Sequence, residues 1–388
     1  MTALDRIRSR LDQTRRLGLY RQLRFHEACD GVQVRLGDRW VVNFSSNDYL
    51  GLAQDRALKA AAIASIEQHG TGSGASRLVT GSSHLHQRLE QQIADWKGVE
   101  SAVVFNSGYQ ANQGVLVGLT KGGDRIFYDA LAHASLLDGT VLSRAECHAF
   151  RHNDGQELER LLQQHPSQGL RLIVTESVFS MDGDIAPLPV LLHLAEQYDC
   201  LLVVDEAHAV GAFGPAGAGL CAELGLKSDR LILVGTCGKA LGSFGAYVAS
   251  CEPVADLLRN RARSFIYTTA LPPAAIAATS AAIFLLQTQP ERQQQLKRHQ
   301  HHLQTVLDRP LASQICPLIV GSAERAIAAS QQLLEAGYWV QAIRPPTVPQ
   351  GTSRLRLSLS AAHSNSQIEG LCEVLGALLP ELAVGSAG

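Results

Sequence analysis

L-I-L-V-G-T-C-G-K-A-L-G-S-F-G, residues 231–245, begins as a short buried strand and ends in a loop of small residues. The apolar run 231–234 supplies the strand. Lys239 follows, flanked by small side chains that let a flat ligand come close. A partly desolvated lysine loses its proton near neutral pH and then serves as an imine-forming amine or a base. Thr236 is placed to offer a hydroxyl to an anion. The same pattern also fits an ordinary strand exit with a solvated lysine.

A second stretch, C-L-L-V-V-D-E-A-H (200–208), repeats the design. Its apolar run delivers Asp205 at the carboxyl end of a strand, with His208 just beyond. Ligands of open α/β sheets bind outside the carboxyl ends of strands. An Asp buried there needs a cationic or hydrogen-bonding partner. The protonated pyridine nitrogen of pyridoxal phosphate is such a partner, and a lysine imine with an Asp on the pyridinium is the usual pair of protein contacts for this cofactor.

D-E-A-H followed by T-C-G-K-A-L-G resembles the fold-type-I pyridoxal-phosphate enzymes. More narrowly, it resembles the α-oxoamine synthases, which condense an amino acid with an acyl thioester and release carbon dioxide. Four further motifs extend the resemblance over nearly the whole chain, from about Arg21 onward. They are N-F-S-S-N-D-Y-L-G-L (43–52), H-A-S-L-L-D-G (133–139), V-F-S-M-D-G-D (178–184) and A-I-R-P-P-T-V-P-Q-G-T-S-R-L-R-L-S-L-S-A-A-H (342–363). Together they point to the biotin-pathway branch of that family.

Composition agrees with a large globular enzyme. At 388 residues, with 46% hydrophobic and 18% charged residues, the chain is long and apolar enough for a substantial core. A net charge of −2 gives no reason to expect nucleic acid or a membrane surface. The eight cysteines are scattered without a C-x-x-C pair, which suits free thiols in a reducing compartment. The N-terminus has no signal-peptide core, and no apolar run is long enough to span a bilayer. A cytoplasmic location is the expectation.

Alternation of strand and helix patterns predicts an α/β fold with a mostly parallel central sheet covered by helices on both faces. A smaller C-terminal α/β domain follows. The expected divisions are an N-terminal helix and hairpin arm (1–45), a large cofactor-binding domain (46–280) and a small domain (281–388). Leu4, Ile7, Leu11 and Leu17 predict an amphipathic helix within the first 24 residues. Residues 32–44 read as a hairpin turning at Gly37 and Asp38. The glycine-rich stretch 70–81 follows no strand, so it reads as flexible backbone rather than a dinucleotide fingerprint. A Gln-rich segment near 285–305 reads as an exposed helix or linker. Strands are expected near 316–320 and 338–343. In R-L-R-L-S-L-S, Arg354 and Arg356 share one face of a strand. Arg354 is expected at a surface or subunit salt bridge. Asp182 and Asp184 lack the further oxygen ligands of a calcium loop and read as a glycine turn.

N-S-G-Y-Q-A-N after the strand 102–105 opens a helix, and its N-terminus is suited to an anion. There the backbone of Gly108 and Tyr109 would bind the cofactor phosphate. The resemblance implies the remaining roles. Lys239 would hold the cofactor and remove the α-proton, and Asp205 would pair with the pyridinium. His208 and Ser180 would contact the phenolic oxygen, and His133 would stack on the ring and meet the substrate. Asn47 would contact the bound amino acid, and Arg356 would clamp its carboxylate. Arg21, Arg344 and Thr347 would lie on the acyl side. Thr268 or Thr269 would reach the partner's phosphate, which implies a homodimer with shared sites. The substrates implied are L-alanine and a pimeloyl thioester, carried on coenzyme A or an acyl carrier protein. A sister synthase using glycine, an aminotransferase and a catalytically silent partner subunit are the alternatives. The intact Asp205, His208 and Lys239 speak against the last of these.

Overall fold

The computed structural model describes residues 1–383, with side chains through residue 378. It divides into two compact units, residues 47–298 and residues 1–46 with 299 onward.

The 47–298 unit is built on one seven-stranded sheet. Its strands are β1 (Ser101–Phe105), β2 (Arg125–Asp129), β3 (Glu146–Phe150), β4 (Arg171–Glu176), β5 (Leu201–Asp205), β6 (Leu231–Thr236) and β7 (Ala246–Ser250). Their spatial order is β1-β7-β6-β5-β4-β2-β3. β7 runs antiparallel to both neighbours, and every other pairing is parallel. The parallel pairs need crossovers. Helices Gly108–Leu119, Ala134–Ser143, Gly155–Gln164 and Leu188–Gln197 lie on those connections. β1 and β7 are buried along their whole length, as is β6, which is why these segments read as continuous apolar runs. Helix Gly108–Leu119 buries Ala111, Val115, Leu116 and Leu119 in a core shared with Val103, Ile126, Val203 and Ile232. Six strands therefore end at one edge of the sheet, and their carboxyl ends carry the chemistry.

Three readings of this unit change. β3 and the helix after it are absent from the sequence reading, because E-C-H-A-F is short, polar at alternate positions and lies at the sheet edge. The glycine-rich stretch is pinned rather than flexible. Residues Arg77–Gly81 form a π-helical turn, and Arg77 makes two bonds to Glu90 at 2.9 and 3.0 Å. The Gln-rich segment folds as helix Glu291–Val306, whose residues belong to both units, and buries Leu296 and Leu303.

In the other unit, strands Ala28–Asp30, Gln33–Leu36, Arg39–Asn43 and Tyr338–Trp339 form one small sheet. The hairpin turns at Gly37, whose φ of +58° suits glycine. Ile315–Gly321, Ser353–Ser358 and Gln341–Ile343 form a three-stranded antiparallel sheet with Ser353–Ser358 in the middle. The expected strand 338–343 is thus two strands in two sheets, parted at the buried Val340. The N-terminal helix spans Ala3–Arg16, opened by a Thr2–Asp5 capping box, and stops well before residue 24. Gly18, at φ +67°, follows its end, and Leu4, Ile7, Leu11 and Leu17 are all exposed. Arg354 is buried, not a surface residue, and its Nε donates to the carbonyl of Thr352 at 3.0 Å.

His363 closes this unit. Its ring stacks on Phe44 with centroids 4.0 Å apart, its Nδ1 accepts from the Ser360 N–H at 2.9 Å, and its Nε2 donates to the Asn43 carbonyl at 3.2 Å. The neutral ring satisfies both bonds, and a proton on Nδ1 would break one. Burial lowers its pKa to about 4. The folded pKa lies below the unfolded one, so the unfolded chain binds the extra proton first. Stability is fully present above pH 6.5 and falls as pH drops towards 4. Roughly 2 kcal/mol is expected to be lost by pH 5 through this residue. Denaturant melts at pH 7.5 and 5 check this, with His363→Gln flattening the difference.

Candidate active site

Asp205 is the last residue of β5 and is 6% exposed. Its Oδ2 accepts from Asn112 Nδ2 at 2.7 Å, and its Oδ1 from the Ala207 N–H at 2.9 Å. Asn112 Nδ2 also donates to Ser135 Oγ at 2.8 Å, and Ser135 Oγ lies 2.8 Å from His133 Nδ1. The Ser135 N–H donates to the same Nδ1 at 3.2 Å. His133 Nδ1 is therefore the acceptor, which leaves the proton of the neutral ring on Nε2. Burial lowers the His133 pKa, and Lys239 adds to this while Asp205 opposes it. The ring is held as a neutral, flat surface.

Lys239 sits in the nine-residue connection between β6 and β7. The Cys237 N–H bonds the Gly245 carbonyl at 2.8 Å, and the Gly242 N–H bonds the Lys239 carbonyl at 2.9 Å. Lys239 Nζ lies 2.8 Å from His208 Nε2. His208 Nδ1 meets Tyr49 Oη at 2.6 Å, and Tyr49 Oη donates to Asn47 Oδ1 at 3.0 Å. With the tyrosine proton given to Asn47, His208 Nδ1 must be the donor, and Nε2 faces the lysine as an acceptor. The chain of bonds aims a basic nitrogen at Nζ.

Gly108 and Tyr109 open helix Gly108–Leu119, capped by Ser107, whose Oγ accepts from the Gln110 N–H at 3.2 Å. The first N–H groups of a helix have no partner within it and favour an anion. Thr236 stands beside them, and its hydroxyl donates to the Gly245 carbonyl at 3.2 Å. Lys239, His208, Asp205, His133, Asn112, Thr236 and the Gly108–Tyr109 helix end line one cavity of about 180 Å³, while Tyr49 and Asn47 stand outside its lining. Larger cavities, about 350 and 530 Å³, lie elsewhere on the unit without such a convergence of lysine, carboxylate and histidine.

Glu176, Asn112 and Tyr49 were missed in the sequence. Glu176 ends β4 in register with Asp205 on β5, lines the cavity and is 2% exposed. Among the described residues, its Oε1 has no hydrogen-bond partner. Burial, then Asp205, raises its pKa well above the usual carboxylate range, against opposition from Lys239. The strand-end rule that found Asp205 would have found Glu176. Asn112 and Tyr49 carry no such signal. Ser180 is buried in the loop between Val178 and Ile185, which form an isolated bridge.

The acyl-side residues belong to the other unit. Arg21 Nη2 donates to Thr347 Oγ1 at 3.0 Å, so two of them meet across 326 positions. Arg344 donates to the carbonyls of Gly18 and Tyr20 at 2.6 and 2.7 Å, which fastens the arm after the N-terminal helix. Arg356 is buried in Ser353–Ser358, and its Nη1 donates to Ser358 Oγ at 2.7 Å.

The family model described as aminotransferase class I and II matches residues 39–375. An 8-amino-7-oxononanoate synthase from Geobacter sulfurreducens is 47% identical over 387 residues, covering 97% of this chain and 99% of that protein. The chain belongs to the 8-amino-7-oxononanoate synthase family. A solved structure with that name, from Francisella tularensis, is 29% identical, with a TM-score of 0.76 over 88% of this chain and 98% of its own. A serine palmitoyltransferase from S. paucimobilis, solved with bound PLP, overlays with a TM-score of 0.93 at 30% identity, covering 99% and 100% of the two chains. The backbone alone thus suits both kinds of synthase, and the 47% identity to the Geobacter sulfurreducens protein, against 30% to the palmitoyltransferase, separates them. Among the described residues, no helix is long and apolar enough to cross a membrane.

The donor set fits pyridoxal phosphate. Asp205 offers an anion to a protonated ring nitrogen, Lys239 an amine to an aldehyde, and the Gly108 helix end N–H groups to a phosphate. The unpartnered buried Oε1 of Glu176 marks polar space that a ligand would complete.

Proposed function

We propose that this chain condenses L-alanine with a pimeloyl thioester to 8-amino-7-oxononanoate, releasing carbon dioxide and free thiol, as a step of biotin biosynthesis. The carrying observation is the cavity that joins Lys239, His208, Asp205 and the Gly108 helix end in a chain 47% identical to a synthase of that name. Pyridoxal phosphate, when bound, supplies the electron sink for breaking bonds at the amino-acid α-carbon. Lys239 would hold it and afterwards move the α-proton on Nζ. His208 Nε2, 2.8 Å away, steadies that amine. Asp205 would pair with the protonated ring nitrogen, and His133 would offer a flat neutral face. Ser180, Gly108, Tyr109 and Thr236 complete the cofactor contacts in this reading. Asn47 and Arg356 take the amino acid, and Arg21, Arg344 and Thr347 the acyl substrate.

The cofactor is assigned to the 47–298 unit. A homodimer with shared sites is part of the same proposal. Phe244, Tyr267, Leu78 and Val79 are large apolar side chains left exposed on that unit, and a second copy would cover such residues.

The purified chain, loaded with pyridoxal phosphate, is expected to release thiol from pimeloyl-CoA only when L-alanine is present. Preference for glycine with acetyl-CoA or another acyl-CoA would move the assignment to a sister synthase.

A further inference from the structure

A second cluster of titratable groups stands at the same sheet edge, outside the cavity lining. His152 lies just past the end of β3. Its Nδ1 is 3.0 Å from Asp129 Oδ1, and its Nε2 is 2.7 Å from Asp184 Oδ2. Both ring nitrogens face carboxylate oxygens. Only the imidazolium can donate from both. The ring edge also meets Phe179, with centroids 4.3 Å apart at 90°.

Each carboxylate builds a different loop of the site. Asp129 ends β2 and is fully buried. Its Oδ1 accepts from the Leu131 N–H and its carbonyl from the Ala132 N–H, at 2.8 and 3.0 Å. That turn leads directly into His133. Asp184 closes the loop that carries Ser180, since its carbonyl accepts from the Phe179 N–H at 3.0 Å. Asn153, at φ +57°, adds a bond from its N–H to Asp129 Oδ2 at 2.8 Å and one from Nδ2 to Asp184 Oδ2 at 3.0 Å. Without a cation between them, the two carboxylates would repel and the tie between the loops would weaken to the Asn153 bonds in this cluster.

We propose that His152, as an imidazolium, is a positioning residue that locks the His133 turn to the Ser180 loop and so presets both for the cofactor. The proposal rests on the pyridoxal-phosphate reading above. Burial works against the charge on His152. Its bonds to Asp129 and Asp184 outweigh that and raise its pKa to about 10, which keeps the proton at neutral pH.

The test uses the full chain with His152→Gln, Asp184→Asn and the double substitution. Glutamine keeps an N–H donor and removes the charge. Each single variant is expected to raise the dissociation constant for pyridoxal phosphate about tenfold. Amide exchange in residues 130–134 and 178–185 of the cofactor-free chain should quicken in both segments. kcat should fall while KM for L-alanine stays within about twofold, and the double variant should be no worse than the weaker single. Unchanged cofactor affinity, faster exchange in one loop only, or losses that multiply in the double variant would overturn the proposal. A wild-type chain that takes up no pyridoxal phosphate would overturn the cofactor reading as well, a result distinct from normal wild-type uptake with unaltered variants.

Discussion

Lys239→Ala is expected to abolish condensation, with kcat reduced by at least about 10³- to 10⁴-fold. The substitution removes one amine that this reading gives two tasks, holding the cofactor and carrying the α-proton. It should leave the fold intact. The loop around it is tied by backbone bonds from Cys237 to Gly245 and from Gly242 to Lys239, none of which uses the lysine side chain. Lys239→Arg sharpens the test, because a guanidinium keeps the charge but stays protonated and cannot act as the amine. The measurement is thiol release from pimeloyl-CoA with L-alanine and no added amine. Turnover by either variant within tenfold of wild type would refute the role.

Asp205→Asn is expected to lower kcat by roughly 10²- to 10³-fold, through loss of a fixed charge that the reaction uses. Asparagine fills the same volume and keeps one of the two accepted bonds through its one oxygen, while its NH2 faces the other donor. The loss is therefore electrostatic more than structural, and the melting temperature should move by only a few degrees. Steady-state kinetics beside a cofactor titration check this. A variant that binds pyridoxal phosphate with wild-type kcat would show that the carboxylate charge is not needed.

The parts of this site that were legible in the sequence share one property. Asp205 and Lys239 each lie just past a short continuous apolar run, which reads as a buried strand that delivers polar residues to the sheet edge. His208 travels with Asp205 in one short motif. Gly108 and Tyr109 follow a strand and open a helix, which is also a local pattern. Asn112 and Tyr49 have no local mark. Asn112 is one of three amide side chains, with Gln110 and Gln113, in the first half of its helix, and Tyr49 meets His208 across 159 positions. The His152 cluster joins residues 129, 152 and 184, and its middle member follows an edge strand too short and mixed to be read.

The same division holds for the two buried arginines. Alternation in R-L-R-L-S-L-S placed Arg354 and Arg356 on one face of a strand, and period two requires this wherever the segment is extended. Pairing with Ile315–Gly321 and Gln341–Ile343 on either side made that strand the middle of its sheet. Which strands neighbour which is a long-range choice that no local pattern encodes.

By itself, the sequence determined the strand–helix alternation apart from the edge strand β3 and the helix after it, the strand-end placement of Asp205, His208 and Lys239, and the family to which these motifs point. Those features follow from local periodicity and from residue chemistry. Tertiary structure alone decided the neutral state of His133, the bond from His208 to Lys239, the burial of Glu176 beside Asp205 and the bridging of two loops by His152. Each of these depends on distances between atoms far apart in the chain, and on the loss of water that accompanies packing, which together set where protons reside.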